Sequence, residues 1–301
     1  MRYLVTGAAG FIGSHLAEAL LAAGHEVVGV DCFTDYYDPA EKEQNARGLD
    51  VRRLDLAEDG LDLAGVDGVF HLAGQPGVRS FGGAFPLYLR RNVLATSRVF
   101  DAASAAGVRV VFASSSSVYG DAEAYPTPED ARPLPISPYG ITKLACEHLV
   151  RAYGLDAVVL RYFTVYGPRQ RPDMFFRRVC DALVSGGSFE IYGSGEQSRS
   201  FTDVADVVAA TITAMDGAPA GSVFNVGGGE EASMLEAIAL LERLSGRTLP
   251  VRHVDRARGD VARTKADVSR IREAVGWEPR VPLADGLARM WAWASGRVAA
   301  R

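Results

Sequence analysis

Cysteine is scarce in this chain: Cys32, Cys146 and Cys180 are the only three, and none falls in a CxxC pair or a His/Cys cluster. A disulfide framework is thereby excluded, no metal site is expected, and a reducing cytoplasm is the expected compartment. Long apolar runs are missing too, none reaching the roughly 18 to 20 residues that span a bilayer. The amino terminus, MRYLVTGAAGFIGSHL, has neither the apolar stretch nor the small-residue cleavage site of a secretory signal. A soluble protein with no membrane partner is expected. Blocks of one charge are also absent. The 37 acidic and 32 basic side chains, a formal net charge of −5, are dispersed, which argues against nucleic-acid binding and leaves any anion site local.

What is present is a regular alternation. Short apolar runs, RYLVT, EVVGVD, VRRLD, GVFHLA, VRVVFASS and AVVLRYF, are separated by helix-length segments, the first running from Phe11 to about Ala23. Runs of this length, rich in Val and Leu, suit parallel strands buried on both faces, so a doubly wound α/β fold of the Rossmann type is expected. After Pro168 the rhythm loosens. Residues 1–168 are expected to form the first domain, and residues 169–301 a smaller second region. From that region the chain would return once or twice to the first domain's sheet.

The first strand runs into TGAAGFIGSHL, which sets Gly7, Gly10 and Gly13 at a strand-to-helix turn. Missing side chains there allow a tight turn and close approach of a pyrophosphate to helix N–H groups, although ordinary turns and caps use glycine as well. Asp31 ends the second strand 18 residues after Gly13. A carboxylate there accepts from ribose hydroxyls and repels a 2′-phosphate, which favours NAD over NADP. Asp55, ending VRRLD, suits either the adenine edge or a plain turn cap.

Tyr139 and Lys143, in SPYGITK, lie four apart behind a helix-starting Pro138, hence on one helix face. An ammonium one turn from a phenol, with the positive ring of bound NAD nearby, favours the phenolate a general base requires. Ser115, in FASSSSVYG, is placed to share the same substrate oxygen. Taken singly these are common helix pairs and caps; in this order they form a constellation.

Together the glycine turn, SSSSVYG and YxxxK resemble the extended short-chain dehydrogenase/reductases, specifically their nucleotide-sugar 4-epimerases. The resemblance implies Tyr139 as acid/base, Lys143 also holding the nicotinamide ribose, and Ser115 assisting. It implies a cofactor site lined by Phe11, Ile12, Asp55, Leu56, Leu72, Ala73, Gly74, Asn92 and Tyr162. Relatives that eliminate water or carbon dioxide carry an acidic residue just before VYG, where this chain has Ser117 among serines. Epimerisation is therefore the simplest chemistry, with Ser115, Ser116 and Ser117 beside the sugar.

Arg199, in GEQSRSF, matches the family's diphosphate-binding arginine, which leaves the arginines of YGPRQRPDM without an anion. A guanidinium fork suits a carboxylate bidentately. YGPxxRPDM and the early TDYYDPxEK resemble UDP-glucuronate 4-epimerases, in which the residues matching Thr164 and Arg171 contact the uronate carboxylate. Arg169-Gln170 departs from the Trp-Gly common there. The resemblance further implies that Ile191 and Tyr192 meet uracil, that Arg258 and Asp260 reach the diphosphate and ribose, and that Arg79 lies near the sugar or phosphate. The expected reaction is conversion of UDP-glucuronate to UDP-galacturonate with NAD, in a homodimer. UDP-glucose 4-epimerase, UDP-glucuronate decarboxylase and a non-catalytic NAD-binding scaffold stay open as alternatives.

Overall fold

The computed structural model describes residues 1–78, 81–255, 261 and 263–299. Its central sheet has seven parallel strands: β1 (Arg2–Thr6), β2 (Glu26–Asp31), β3 (Val51–Arg53), β4 (Gly68–His71), β5 (Arg109–Ser115), β6 (Ala157–Tyr162) and, after three intervening strands, β10 (Val223–Val226). Their order across the sheet is β10-β6-β5-β4-β1-β2-β3. The chain leaves β1 toward β2 and later crosses back to β4 on its other side, so the switch of direction lies beside the first glycine turn. In such sheets ligands bind outside the carboxyl ends of the strands at that switch.

Successive residues of these strands feed two cores, as the two-residue period of a strand demands. Val5, Val111 and Val158 face one side and join Leu16 and Leu20 of α1 (Phe11–Ala22) and Val207 of a later helix, Val204–Gly217. Leu4, Val110 and Val159 face the other and join Phe100 of the helix Ala95–Ala106 and Val150 of the helix Pro138–Tyr153. Helices cover both faces, which is the doubly wound architecture. The expected first helix, 11 to about 23, is found at Phe11–Ala22.

Four of the remaining strands form a second sheet around β9 (Ser198–Asp203), which pairs with β7 (Thr164–Tyr166), β11 (Glu231–Ser233) and β13 (Arg263–Thr264). A pair of parallel strands, β8 (Phe189–Tyr192) and β12 (Val251–Val254), completes the set. A third core beneath them gathers Phe176, Phe189, Phe201, Leu241 and Met290. Val204–Gly217 lies on the first core and β10 in the first sheet, so chain beyond residue 168 builds part of the nucleotide-binding layer.

One junction between these parts is ionic. Glu41, in the helix Pro39–Asn45, accepts from Arg177 Nη2 at 2.8 Å and from Arg297 Nη2 at 2.7 Å. Both guanidinium groups also lie over the ring of Trp293, at 5.2 and 4.8 Å from its centre. The glutamate of TDYYDPxEK thus holds an early segment to two late helices.

Candidate active site

A cavity of about 660 Å³ opens at the carboxyl ends of the central strands and continues between β5, the helix Pro138–Tyr153, β7 and β8. Its nucleotide end is shaped by backbone. Gly7 stands at φ +72°, and a Cβ there would fall 2.9 Å from the backbone nitrogen of Ala73. A Cβ at Gly13 would fall 2.1 Å from the carbonyl oxygen of Gly7, so only glycine lets the turn fold against α1. Gly10 caps α1 without a side-chain bond, and no acidic residue occupies the first turn, where Phe11, Ile12 and Gly13 line the cavity. Asp31 accepts from the backbone N–H of Phe33 at 2.8 Å and of Ala9 at 3.2 Å, which ties β2 to the glycine turn. Burial pushes its carboxyl up from the ordinary value, and each oxygen keeps a further lone pair for a ribose hydroxyl. The cradle therefore fits a dinucleotide.

Leu56, Leu72, Ala73 and Gly74 line the same end. Asp55 also lines it, while serving as a turn cap: it accepts from Ala57 N at 3.0 Å and pairs with Arg90 at 2.7 Å. Tyr162 lines the cavity and shares a hydrogen bond with Thr211 at 2.7 Å. Asn92 does not line the cavity. It is buried behind the wall in a single π-helical stretch, Leu89–Leu94, where its Oδ1 accepts from Gln75 N at 2.6 Å and its Nδ2 donates to Thr142 Oγ1 at 3.0 Å. Its amide fixes the loop after β4 against the helix bearing Lys143 and reaches the cofactor end only through that loop.

Tyr139, Lys143 and Ser115 all line the cavity. The helix Pro138–Tyr153 begins with Pro138 in its first turn and Ser137 as cap, whose hydroxyl accepts from Gly140 N at 3.1 Å. Gly140 is the reason the serines come so near: a Cβ there would stand 2.4 Å from the carbonyl oxygen of Ser117. Ser115 Oγ accepts from Ser117 N and donates to Ser117 Oγ, both at 3.1 Å. Lys143 Nζ donates to the Ala113 carbonyl at 2.7 Å and lies 5.9 Å from the centre of the Tyr139 ring. Ser116 and Ser117 also line the cavity.

At the sugar end, Thr164, Arg171, Ile191, Tyr192 and Arg199 line the cavity. The loop before Arg171 is firmly held. Gln170 is buried, its Nε2 donating to Val165 O and its Oε1 accepting from Arg177 N, each at 3.0 Å. Arg169 adopts φ +64° and reaches Glu18 on α1 at 2.7 Å, so it is a docking residue, apart from the cavity. The buried Arg199 donates to Val261 O at 2.6 Å. Arg79, Arg258 and Asp260 lie outside the described residues.

Sequence reasoning had not assigned Tyr36, Tyr37, Lys42, Gln75, Arg91 and Asp173 to the cavity, which they line. Tyr36, Tyr37 and Lys42 belong to TDYYDPxEK, and Asp173 to RPDM, so the motifs were visible although the individual contacts were not. Among the described residues no group of His, Cys, Asp or Glu is arranged to hold a metal.

Residues 3–227 match the model of the NAD dependent epimerase/dehydratase family. The chain is 41% identical over 98% of both chains to an uncharacterized UDP-glucose epimerase of Bacillus subtilis. It is 34% identical to the UDP-glucuronate 4-epimerase of Thermodesulfobacterium geofontis, over 98% of this chain and 97% of that one. A crystal structure of the UDP-glucuronic acid 4-epimerase of Bacillus cereus, in complex with UDP-glucuronic acid and NAD, superposes with a TM-score of 0.95 at 38% identity, covering 99% of this chain and 100% of that one. With the glycine cradle, Asp31 and the Ser115–Tyr139–Lys143 cluster in one cavity, the chain belongs to the NAD dependent epimerase/dehydratase family.

Proposed function

We propose that this protein is an NAD-dependent UDP-glucuronate 4-epimerase, interconverting UDP-glucuronate and UDP-galacturonate. The observation that carries this reading is the presence of Arg171 and Thr164 on the wall of the cavity that also holds Tyr139, Lys143 and Ser115. Residues 1–168 chiefly serve the cofactor and residues 169–301 the sugar nucleotide. Bound NAD supplies the hydride acceptor at C4 and the hydride donor for the return. Tyr139 takes the O4 proton as C4 is oxidised and returns it to O4 after the 4-keto sugar has turned its other face to the nicotinamide, so that re-reduction inverts C4; Ser115 bonds the same oxygen. Lys143, one helical turn on, holds the nicotinamide ribose beside Tyr139. Arg199 serves the diphosphate, Arg258 and Asp260 the diphosphate and ribose, and Arg79 the sugar or phosphate, and Ile191 and Tyr192 flank the uracil.

A 4-keto uronate is a β-keto acid and loses carbon dioxide readily when its carboxylate C–C bond aligns with the carbonyl π system. Arg171 and Thr164 hold that carboxylate out of alignment. The serine turn offers no second carboxylic acid, which separates this site from one built to decarboxylate. NMR of purified protein with NAD and UDP-glucuronate should show UDP-galacturonate accumulating. A UDP-pentose as main product would overturn the reading in favour of a decarboxylase, and no turnover at all in favour of a scaffold.

A second reading, UDP-glucose 4-epimerase, is favoured by one observation: one edge of the Arg171 guanidinium, Nε and Nη2, is already bonded to Asp173, at 3.0 and 3.1 Å. A homodimer belongs to the same proposal, through the exposed Leu87, Leu89, Leu94 and Ile141 along the segments 85–106 and 138–153. Sedimentation should give twice the chain mass, and Leu94→Glu the single mass. A cytoplasmic location is proposed from the three free cysteines; no described helix is long and apolar enough to cross a membrane.

A further inference from the structure

Arg171 is not the only charge at the sugar end of the cavity. Asp173, two residues on, also lines it and takes one bidentate edge of the guanidinium: Nε donates to Oδ1 at 3.0 Å and Nη2 to Oδ2 at 3.1 Å. Tyr36, from the segment between β2 and the helix Pro39–Asn45, donates its hydroxyl to Asp173 Oδ2 at 3.2 Å. Burial first, and then Asp173, push this phenol up to about 12, so it is a donor at neutral pH. The Gln170 and Arg177 anchors fix the loop from which both charges project. An incoming sugar carboxylate must therefore displace Asp173 or take the other edge of the fork beside a like charge, and either costs affinity. A neutral C6 hydroxymethyl group meets no such competition, because Asp173 already balances the arginine.

We infer that Asp173 is a specificity-determining residue: a resident counter-ion of Arg171 that competes with a substrate carboxylate and keeps the pocket open to a neutral hexose. The inference rests on the reading that Arg171 meets the C6 carboxylate. It assigns Asp173 the opposite effect from Arg171, weakening uronate selectivity where Arg171 creates it.

The test uses the full chain with NAD in a Tyr139→Phe background, which is expected to bind without turning over, and calorimetric Kd values for UDP-glucuronate and UDP-glucose. Asp173→Asn should shift the ratio of affinities toward UDP-glucuronate by about fivefold, the scale of one part-buried ion pair. Tyr36→Phe, which frees Asp173 from one of its anchors, should shift it the same way by less, and decides the matter if Asp173→Asn does not fold. An unchanged ratio, or a shift toward UDP-glucose, overturns the inference, the latter meaning that Asp173 aligns Arg171 for uronate. Arg171→Ala is measured alongside. Loss of uronate preference there, with no shift in Asp173→Asn or Tyr36→Phe, overturns this inference alone; an unaltered preference in Arg171→Ala overturns the carboxylate reading as well.

Discussion

At the cofactor end of the cavity, position is set by backbone meeting backbone: Gly13 against Gly7, Gly7 against Ala73, and Asp31 tied to two main-chain N–H groups. At the sugar end, position is set by side chains that are distant in sequence: Gln170 with Arg177, Arg177 with Glu41, Arg169 with Glu18. The first arrangement tolerates almost no substitution, because a Cβ in the wrong place has nowhere to go. The second can be retuned one charge at a time. A family that keeps one cofactor and varies its sugar needs both kinds of construction in a single cavity.

The contrast can be broken at graded cost. Gly13→Ala puts a Cβ 2.1 Å from the Gly7 carbonyl, and a backbone clash of that kind is expected to cost upward of about 4 kcal/mol. NAD binding by fluorescence should be lost and the chain should be poorly folded. Tyr139→Phe leaves the cavity walls intact and removes only the hydroxyl proposed to transfer the proton; kcat should fall by about 10²- to 10⁴-fold for any accepted sugar nucleotide while NAD still binds. Arg171→Ala should act on one substrate only, lowering kcat/KM for UDP-glucuronate by about 30-fold or more, with UDP-glucose changed little.

Smaller effects fall on stability. Glu41→Gln removes the charge shared by Arg177 and Arg297, and calorimetry should record a Tm lower by about 5 °C. Burial opposes the charge of Glu41, but hydrogen bonds from Arg177 and Arg297 prevail and hold its carboxyl at about 2. A folded value below the ordinary one, about 4.3, means that this stability is complete above that range and is lost as pH falls toward 2. His71 acts in a higher window. It is fully buried between Thr6 Oγ1 at 2.7 Å and Thr96 Oγ1 at 2.9 Å, and burial pushes it down to about 3. The unfolded chain takes up that proton first, so stability should begin to decline below about pH 6.5. Tm measured against pH should fall in both windows, and in Glu41→Gln only the lower fall should shrink.

The same contrast decides what could be read before the fold was known. The apolar runs marked six strands of the central sheet, and the GxxGxxG spacing marked the cradle, because a need for glycine or for apolar residues is written locally. A return of the later chain to the first sheet was expected, but not which segment makes it; Val223–Val226, in SVFNVGGG, forms an edge strand of that sheet. Tyr139 and Lys143 were legible through helical spacing, with Gly140 between them explaining the approach of the serines. Asn92 was less so: its type and place were visible, but its burial behind the wall depends on Gln75 and Thr142, 17 and 50 residues away. Glu41 meeting Arg177 and Arg297, 136 and 256 residues distant, leaves no local pattern at all. Nor does the pairing of Arg171 with Asp173, since Arg-x-Asp is as common on a solvated loop as in a pocket.

The central claim is that the pocket selects a carboxylate, and a competition assay tests it most directly. Purified protein with NAD is given equal concentrations of UDP-glucuronate and UDP-glucose, and both product pairs are followed by NMR. Faster formation of UDP-galacturonate, with the advantage lost in Arg171→Ala, is the predicted result. Faster formation of UDP-galactose by the wild-type chain, or a uronate preference untouched by Arg171→Ala, would contradict it.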